Sequence, residues 1–467
     1  TTQDIHSSGN VNMDADGSIY AGGIDANGGD ADISAYYEID LAGGVHAQGY
    51  VDLYTDNGYV QTTDDVTADG GNVDIYAGNG GADIGGNIYS AGHVDVDATD
   101  SIEIAGEVDA DGYIDLWAQG GQVDVWGHLE ASGGHVRAIA DGGSVYIDDS
   151  VVAGEYVDLY AQGNVEVQGD VHGQQEVVID AENGGYVRVS GGVSSSGGYV
   201  DIEADDYIET GADVYAEGYV NMYSYNSGVT TSGSSVESVT GDIDIYAGGG
   251  GVYTGYLLAQ DGHVDVSAEG DVDIDGDVNA QGNVDIQSGS GYVEVADTIE
   301  SVDGHVELEA QDYVNVQGNI WSWDYVDILA RNSGVGVDGE ITSSVGYVEI
   351  TGNGGGVNVG GYIQANGGDL DVCAQGEVDI SGEASADGHA QIEAQGGYVY
   401  VGGGVTASND YVYVEAQDYI EIDGQVEGQG QVDLIANGGY VETYGGDVIS
   451  HTGNVNIDAD GSIHTGA

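Results

Sequence analysis

The sequence predicts an all-β chain, a parallel β-helix built as a three-faced β-solenoid of about 22 coils with 20–23 residues in each. Three observations predict it. One motif, V-D-I-x-A-x-G-x-V-x-V-x-G-x-V-x-A-x-G-x, runs from end to end, as residues 94–113 (VDVDATDSIEIAGEVDADGY) and 264–283 (VDVSAEGDVDIDGDVNAQGN) show. Apolar and polar residues alternate with period two across nearly every repeat, which is strand geometry, and no segment has helical periodicity. The inward set is Val, Ile, Leu, Ala and Gly, and the 467 residues contain neither Phe nor Pro. A unit of about twenty residues cannot bury its own face, whereas stacked copies bury a continuous core.

Each repeat divides into three short strands. The first is V-D-I-x-A; its leading residue recurs 22 times from Val11 to Val455, at spacings of 20 to 23. The fifth position is Ala except at Thr55, Ser224, Ser288 and Gly352, which fits a narrow interior. The second strand is V-x-V and the third V-x-A, with Gly or another small or turn residue between them. Extra residues fall mostly at Gly pairs such as QGGQ (119–122) and ENGG (182–185), where a corner absorbs them. Pro is excluded because nearly every strand donates to both neighbours. At about 4.8 Å per coil the stack is expected to reach roughly 105 Å. With no composition shift and no linker, residues 1–467 read as a single elongated domain with incomplete coils at both ends.

The pattern G-x-V-x-A-x-G-x-V-x-L-x-A, carried by GEVDADGYIDLWA (106–118) and GDVNAQGNVDIQS (276–288), resembles the repeats of filamentous haemagglutinin-type exoproteins over essentially the whole chain. The resemblance implies a right-handed parallel β-helix, secretion, and a role at the cell surface in adhesion or as a stalk. The secretion domain of that family is not recognisable here.

Composition excludes several function classes. Asp and Glu number 83 against three Arg (Arg137, Arg188, Arg331) and no Lys, a formal charge of −80. Nucleic-acid affinity needs Lys and Arg to displace counterions from phosphate, and anionic membrane surfaces need the same residues. No apolar run is long enough for a spanning helix. The single cysteine, Cys373, permits no intrachain disulfide and no thiolate zinc cluster, and it reads as an outward free thiol.

Stacking turns each outward position into a ladder. The second position of the repeat is Asp at Asp32, Asp52, Asp74, Asp95, Asp115, Asp158, Asp201, Asp244, Asp265, Asp285, Asp327, Asp371 and Asp433, with Glu307 and Glu349 in the same series. Carboxylates about 4.8 Å apart repel by roughly 1 kcal/mol per neighbour in water and about 3–4 kcal/mol at an effective dielectric of 20. Ca²⁺ between rungs would relieve this, since it takes six to eight oxygen ligands; a solvated acidic face screened by sodium is the other reading. Asp271, Asp273, Asp275 and Gly276 read D-x-D-x-D-G, as do Asn12, Asp14, Asp16 and Gly17 with Asn first, and neither run continues as an EF-hand. These carboxylates share one strand face and are candidate cation ligands.

The residue before each repeat forms a second ladder. It is Tyr at Tyr50, Tyr113, Tyr156, Tyr199, Tyr219, Tyr325, Tyr347 and Tyr411, and His at His93, His135, His263, His305 and His389. These His never fall on adjacent coils, so a His-based metal site is not expected. Trp117, Trp126, Trp321 and Trp323 all occupy outward phases. The aromatic ladder reads either as cross-rung stacking that stiffens the sheet or as a contact surface for another rod or a polysaccharide.

An enzyme is not expected. Acid pairs arise by chance on so acidic a surface, insertions reach only three residues, and no nucleophile elbow or H-E-x-x-H is present. The expected function is a structural extracellular or cell-surface filament subunit that stacks head to tail, its expected partners being copies of itself, head to tail and laterally. The alternative is an adhesin stalk or glycan-binding rod. The stacking expectation comes from VNIDADGSIHTGA (455–467) and TTQDIHSSGN (1–10), which together make a coil of 23 residues. Open ends of this kind would equally arise within one stretch of a longer polypeptide.

Overall fold

The computed structural model describes residues 3–466. The chain divides into two compact units, Thr1–Ser234 and Ser235–Ala467. Each unit is a stack of coils built from three parallel sheets, and every described strand is three-sheet solenoid structure with no helix. Face one carries five-residue strands, and faces two and three carry strands of three residues with one exception, the two-residue Val229–Thr230.

The register follows the repeat. On face one of the first unit, Val94–Ala98 pairs in parallel with Val73–Ala77 before it and Ile114–Ala118 after it. On face two, Ile102–Ile104 lies between Ala82–Ile84 and Val123–Val125. On face three, Val108–Ala110 lies between Ile88–Ser90 and Leu129–Ala131. The second unit repeats this: Val284–Ser288 pairs with Val264–Ala268 and Val306–Ala310. Equivalent repeat positions therefore face each other rung after rung, as the motif predicts.

The core is the inward half of the alternation. In Val157–Ala161, residues Val157, Leu159 and Ala161 are buried while Asp158 and Tyr160 lie at the surface. Where a hydroxyl replaces the fifth-position Ala, a corner carbonyl satisfies it: Thr55 Oγ1 donates to Gly58 O at 2.9 Å, and Ser288 Oγ to Gly270 O at 2.7 Å. A buried hydroxyl without such a partner would cost about 1–3 kcal/mol.

The corners are as tightly stacked as the strands. Gly112 N–H donates to Gly92 O at 2.6 Å and Gly163 N–H to Gly143 O at 2.7 Å, so the coil-to-coil bonding continues through the turns. A Cβ on Gly58 would lie 1.7 Å from Tyr37 O of the preceding coil. That approach, more than positive φ, is why the corners are Gly. An exception is the longest turn of the first unit, 182–186, where Asn183 and Gly184 have φ of 52° and 84°. Of the residues expected to share a coil across an end, Ile5–Ser7 forms the third-face strand, while Thr1, Thr2 and Ala467 lie outside the described residues.

Candidate functional site

The strands place the second-position carboxylates in register. Asp32, Asp52, Asp74, Asp95 and Asp115 face one another in sequence on face one. Arg137 then takes the ladder position, followed by Asp158. In the second unit the series runs Asp244, Asp265, Asp285, Glu307, Asp327, Glu349 and Asp371 without a break. Partial burial, then the neighbouring rungs, push the carboxyls of Asp52 and Asp265 above the usual range. The same causes raise Asp327 to about 6, its neighbours being Glu349 and Glu307. Asp201 is also raised to about 6, by burial and then by Glu203, and its Oδ1 is buried without a hydrogen-bond partner.

Asp271, Asp273 and Asp275 share one outward face flanking and within Val272–Ile274, as the alternation requires. Asp271 Oδ1 accepts the Tyr292 N–H at 3.2 Å, and Asp273 stands opposite Glu294. The Asp271 contact belongs to a set that sequence reading missed. Asn or Asp just before a strand accepts the backbone N–H one coil later: Asn87 Oδ1 from Glu107 at 2.9 Å, and Asp369 Oδ1 from His389 at 2.9 Å. Part of the acidic surface is thus structural.

All three Arg pair with an acid on an adjacent coil. Arg137 donates to both carboxylate oxygens of Asp115, at 2.8 and 2.5 Å. Arg188 meets Glu209 at 2.9 Å and Arg331 meets Glu309 at 2.5 Å.

The aromatics face outward and stack from coil to coil along faces one and two. His93, Tyr113, His135 and Tyr156 form one continuous run with centroids 4.4, 5.0 and 4.6 Å apart. His305, Tyr325 and Tyr347 follow at 4.4 and 4.9 Å, Tyr199 and Tyr219 at 4.6 Å, and His389 and Tyr411 at 4.8 Å. Interplanar angles in these stacks are 3–9°. Tyr50 is exposed. A further series precedes the face-two strands: Tyr186 on Tyr207, Tyr292 on Tyr313, and Tyr398, Tyr419 and Tyr440 at 5.0 and 4.9 Å. Its signal was Tyr before V-x-V, as in YVRV and YVEV. Trp117, Trp126 and Trp323 are exposed and Trp321 half-buried on its outward phase. Trp117 donates its indole N–H to Asp141 at 2.8 Å.

The histidines do not stack on one another, but the fold lays several over carboxylates of the preceding coil. His93 Nε2 lies 3.2 Å from Asp74, His305 Nε2 2.9 Å from Asp285, and His389 Nε2 2.9 Å from Asp371. On face three, His128 Nε2 lies 2.8 Å from Asp109 and Nδ1 3.8 Å from Glu107. Two groups among the described residues bring three possible metal donors within 4.8 Å of one another: Glu107, Asp109 and His128, and Asp285, His305 and Glu307. Only Asp285 among these was a ligand candidate from sequence. The Cys373 thiol is half-buried, burial raises it above its ordinary range, and Gln395 Nε2 donates to Sγ at 3.6 Å.

The chain matches no protein-family model, no curated protein and no solved structure.

Proposed function

We propose that the protein is a structural subunit of an extracellular or cell-surface filament, joined head to tail, with cations held between its carboxylate ladders. The observation that carries this reading is the in-register stacking of coils within each unit, which buries the apolar edge of each coil against the next. The coil from Val11 (VNMDADGSIYAGG, 11–23) restates the one from Val455 (VNIDADGSIHTGA, 455–467), so one copy of the chain matches the repeat of another.

Two further features support a scaffold. Within each unit no connection between strands exceeds five residues, so no long loop builds a cleft. In the ladders the ring faces that a sugar would stack on are covered by neighbouring rings, which favours this reading over a glycan-binding rod. The likeness of the repeat to filamentous haemagglutinin-type exoproteins supports the cell-surface placement.

The test is electron microscopy and sedimentation of the full chain, with intact-mass analysis of the denatured assembly. Filaments giving one species near 47.7 kDa, dispersed by Val455→Asp, are the expected result. A chain that stays monomeric at high concentration with or without Ca²⁺, or assemblies composed of a heavier polypeptide, would overturn it.

A further inference from the structure

The clusters at Glu107–Asp109–His128 and Asp285–His305–Glu307 each add an imidazole to two carboxylates on adjacent coils. In both, the residue before a strand and the second residue of that strand point outward on either side of a buried aliphatic residue. Val108 separates Glu107 from Asp109, and Leu129 separates His128 from Glu130 one coil later. On face one, Val284 separates Asn283 from Asp285, and Val306 separates His305 from Glu307 one coil later. Two adjacent rungs thus present a square of four polar groups, one of them an imidazole. The same placement sets His93 beside Asp74 and His389 beside Asp369 and Asp371, but among the described residues only these two groups bring three donor atoms within 4.8 Å of one another.

From this geometry we infer that each cluster is a binding site for a zinc-class divalent cation, with one imidazole nitrogen and two carboxylates as protein ligands. The donor set discriminates among metals. Imidazole suits Zn²⁺, Cu²⁺ and Ni²⁺, whereas Ca²⁺ and Mg²⁺ take oxygen. Ligands about 2.0–2.2 Å from a tetrahedral ion lie roughly 3.3 Å from one another. His128 Nε2 and Asp109 Oδ1 are already 2.8 Å apart, and His305 Nε2 and Asp285 Oδ1 2.9 Å apart. The third donor, within 4.8 Å of both, sits on a Glu side chain with rotatable bonds to close the remaining distance. The imidazoles are held in place. His305 stacks on Tyr325 at 4.4 Å, and His128 lines a groove of about 570 Å³ together with Asp69, Asp109, Asp111 and Glu130. Neither Lys nor Arg lines that groove, so its field attracts a cation. On binding, the ion takes the place of the proton between the imidazole nitrogen and Asp109 or Asp285; the neutral ring keeps one proton, so the one lost to solvent at the ligating nitrogen is matched by one taken up at the other ring nitrogen.

The test is calorimetric titration of the full-length protein with ZnCl₂ at pH 7.5, in physiological salt and a large excess of CaCl₂ to occupy oxygen-only sites. Two calcium-resistant sites are expected. His128→Gln should remove one and His305→Gln the other, each with at least a tenfold loss of affinity, and circular dichroism should be unchanged. The double change Glu107→Gln/Asp109→Asn keeps the imidazole and should also remove the first site, which serves if His128→Gln perturbs folding. Zinc binding that calcium abolishes, or a stoichiometry that survives these substitutions, would overturn the inference.

Discussion

At Asp327, the cost of the repeat falls on a single carboxyl. Partial burial and the charges of Glu349 and Glu307 raise it to about 6, so the folded state favours its protonated form more than the unfolded chain does. A raised acid contributes stability that is full below the unfolded value near pH 4 and is lost as pH rises through about 6. Asp201 and Asp180, also raised to about 6, act in the same direction. The melting temperature should therefore rise as pH falls from 7.5 to 4.5. Asp327→Asn should stabilise the chain by about 1 kcal/mol at pH 7.5, after allowance for solvent screening, and by nothing near pH 4. A melting temperature that falls steadily over that range would refute the assignment. The corner glycines make the opposite kind of prediction. Gly58→Ala drives a methyl into Tyr37 O and should destabilise by about 1–3 kcal/mol, whereas nothing lies within 4 Å of a Cβ built on Gly17. Equal effects in thermal melts of Gly58→Ala and Gly17→Ala would show that the corners are not close-packed.

Between the residue and the molecule lies the rung. Its backbone bonds are uniform, so the differences among rungs reside in what stacks on the outside. Tyr419 sits between Tyr398 and Tyr440, with both ring faces covered. Stacked pairs contribute about 0.5–1.5 kcal/mol each beyond area burial, so Tyr419→Ala should cost about 1–3 kcal/mol and weaken the near-ultraviolet dichroism of coupled tyrosines. Tyr20, 57% exposed, provides the control, and Tyr20→Ala should leave that signal in place. Identical spectra for the two variants would mean that the stacks are not formed in solution. The alternation placed the rings on the outside, and the motif put Tyr113, Tyr325 and Tyr347 on one ladder. Their coplanar overlap followed only from the pairing register, which brings equivalent positions to one strand spacing.

Over the whole molecule, the sum of 83 acids against three Arg sets the behaviour in salt. Each unbroken carboxylate ladder adds repulsion of roughly 1 kcal/mol per neighbour in water, and the register gives no basic partner between Asp244 and Asp371. If divalent ions bridge those rungs, chelation should lower the melting temperature by more than an equal ionic strength of NaCl restores. Full recovery in NaCl would leave a screened acidic face as the whole account.

The sequence by itself determined the coil, its three strands, their bounds and their facing, because period-two alternation with small inward residues has one packed solution when repeated 22 times. It also determined which carboxylates and aromatics share a ladder, since ladder membership is repeat phase. What only the tertiary structure decided is contact between different phases on adjacent coils. His128 meets Asp109, and His305 meets Asp285, across a gap of about twenty residues and an offset of two positions. Tertiary structure also decided which in-phase side chains turn onto backbone, as Asn87 does onto the Glu107 amide one coil on. Those meetings depend on side-chain reach and rotamer across a strand spacing, and a one-dimensional repeat specifies only which rungs are neighbours.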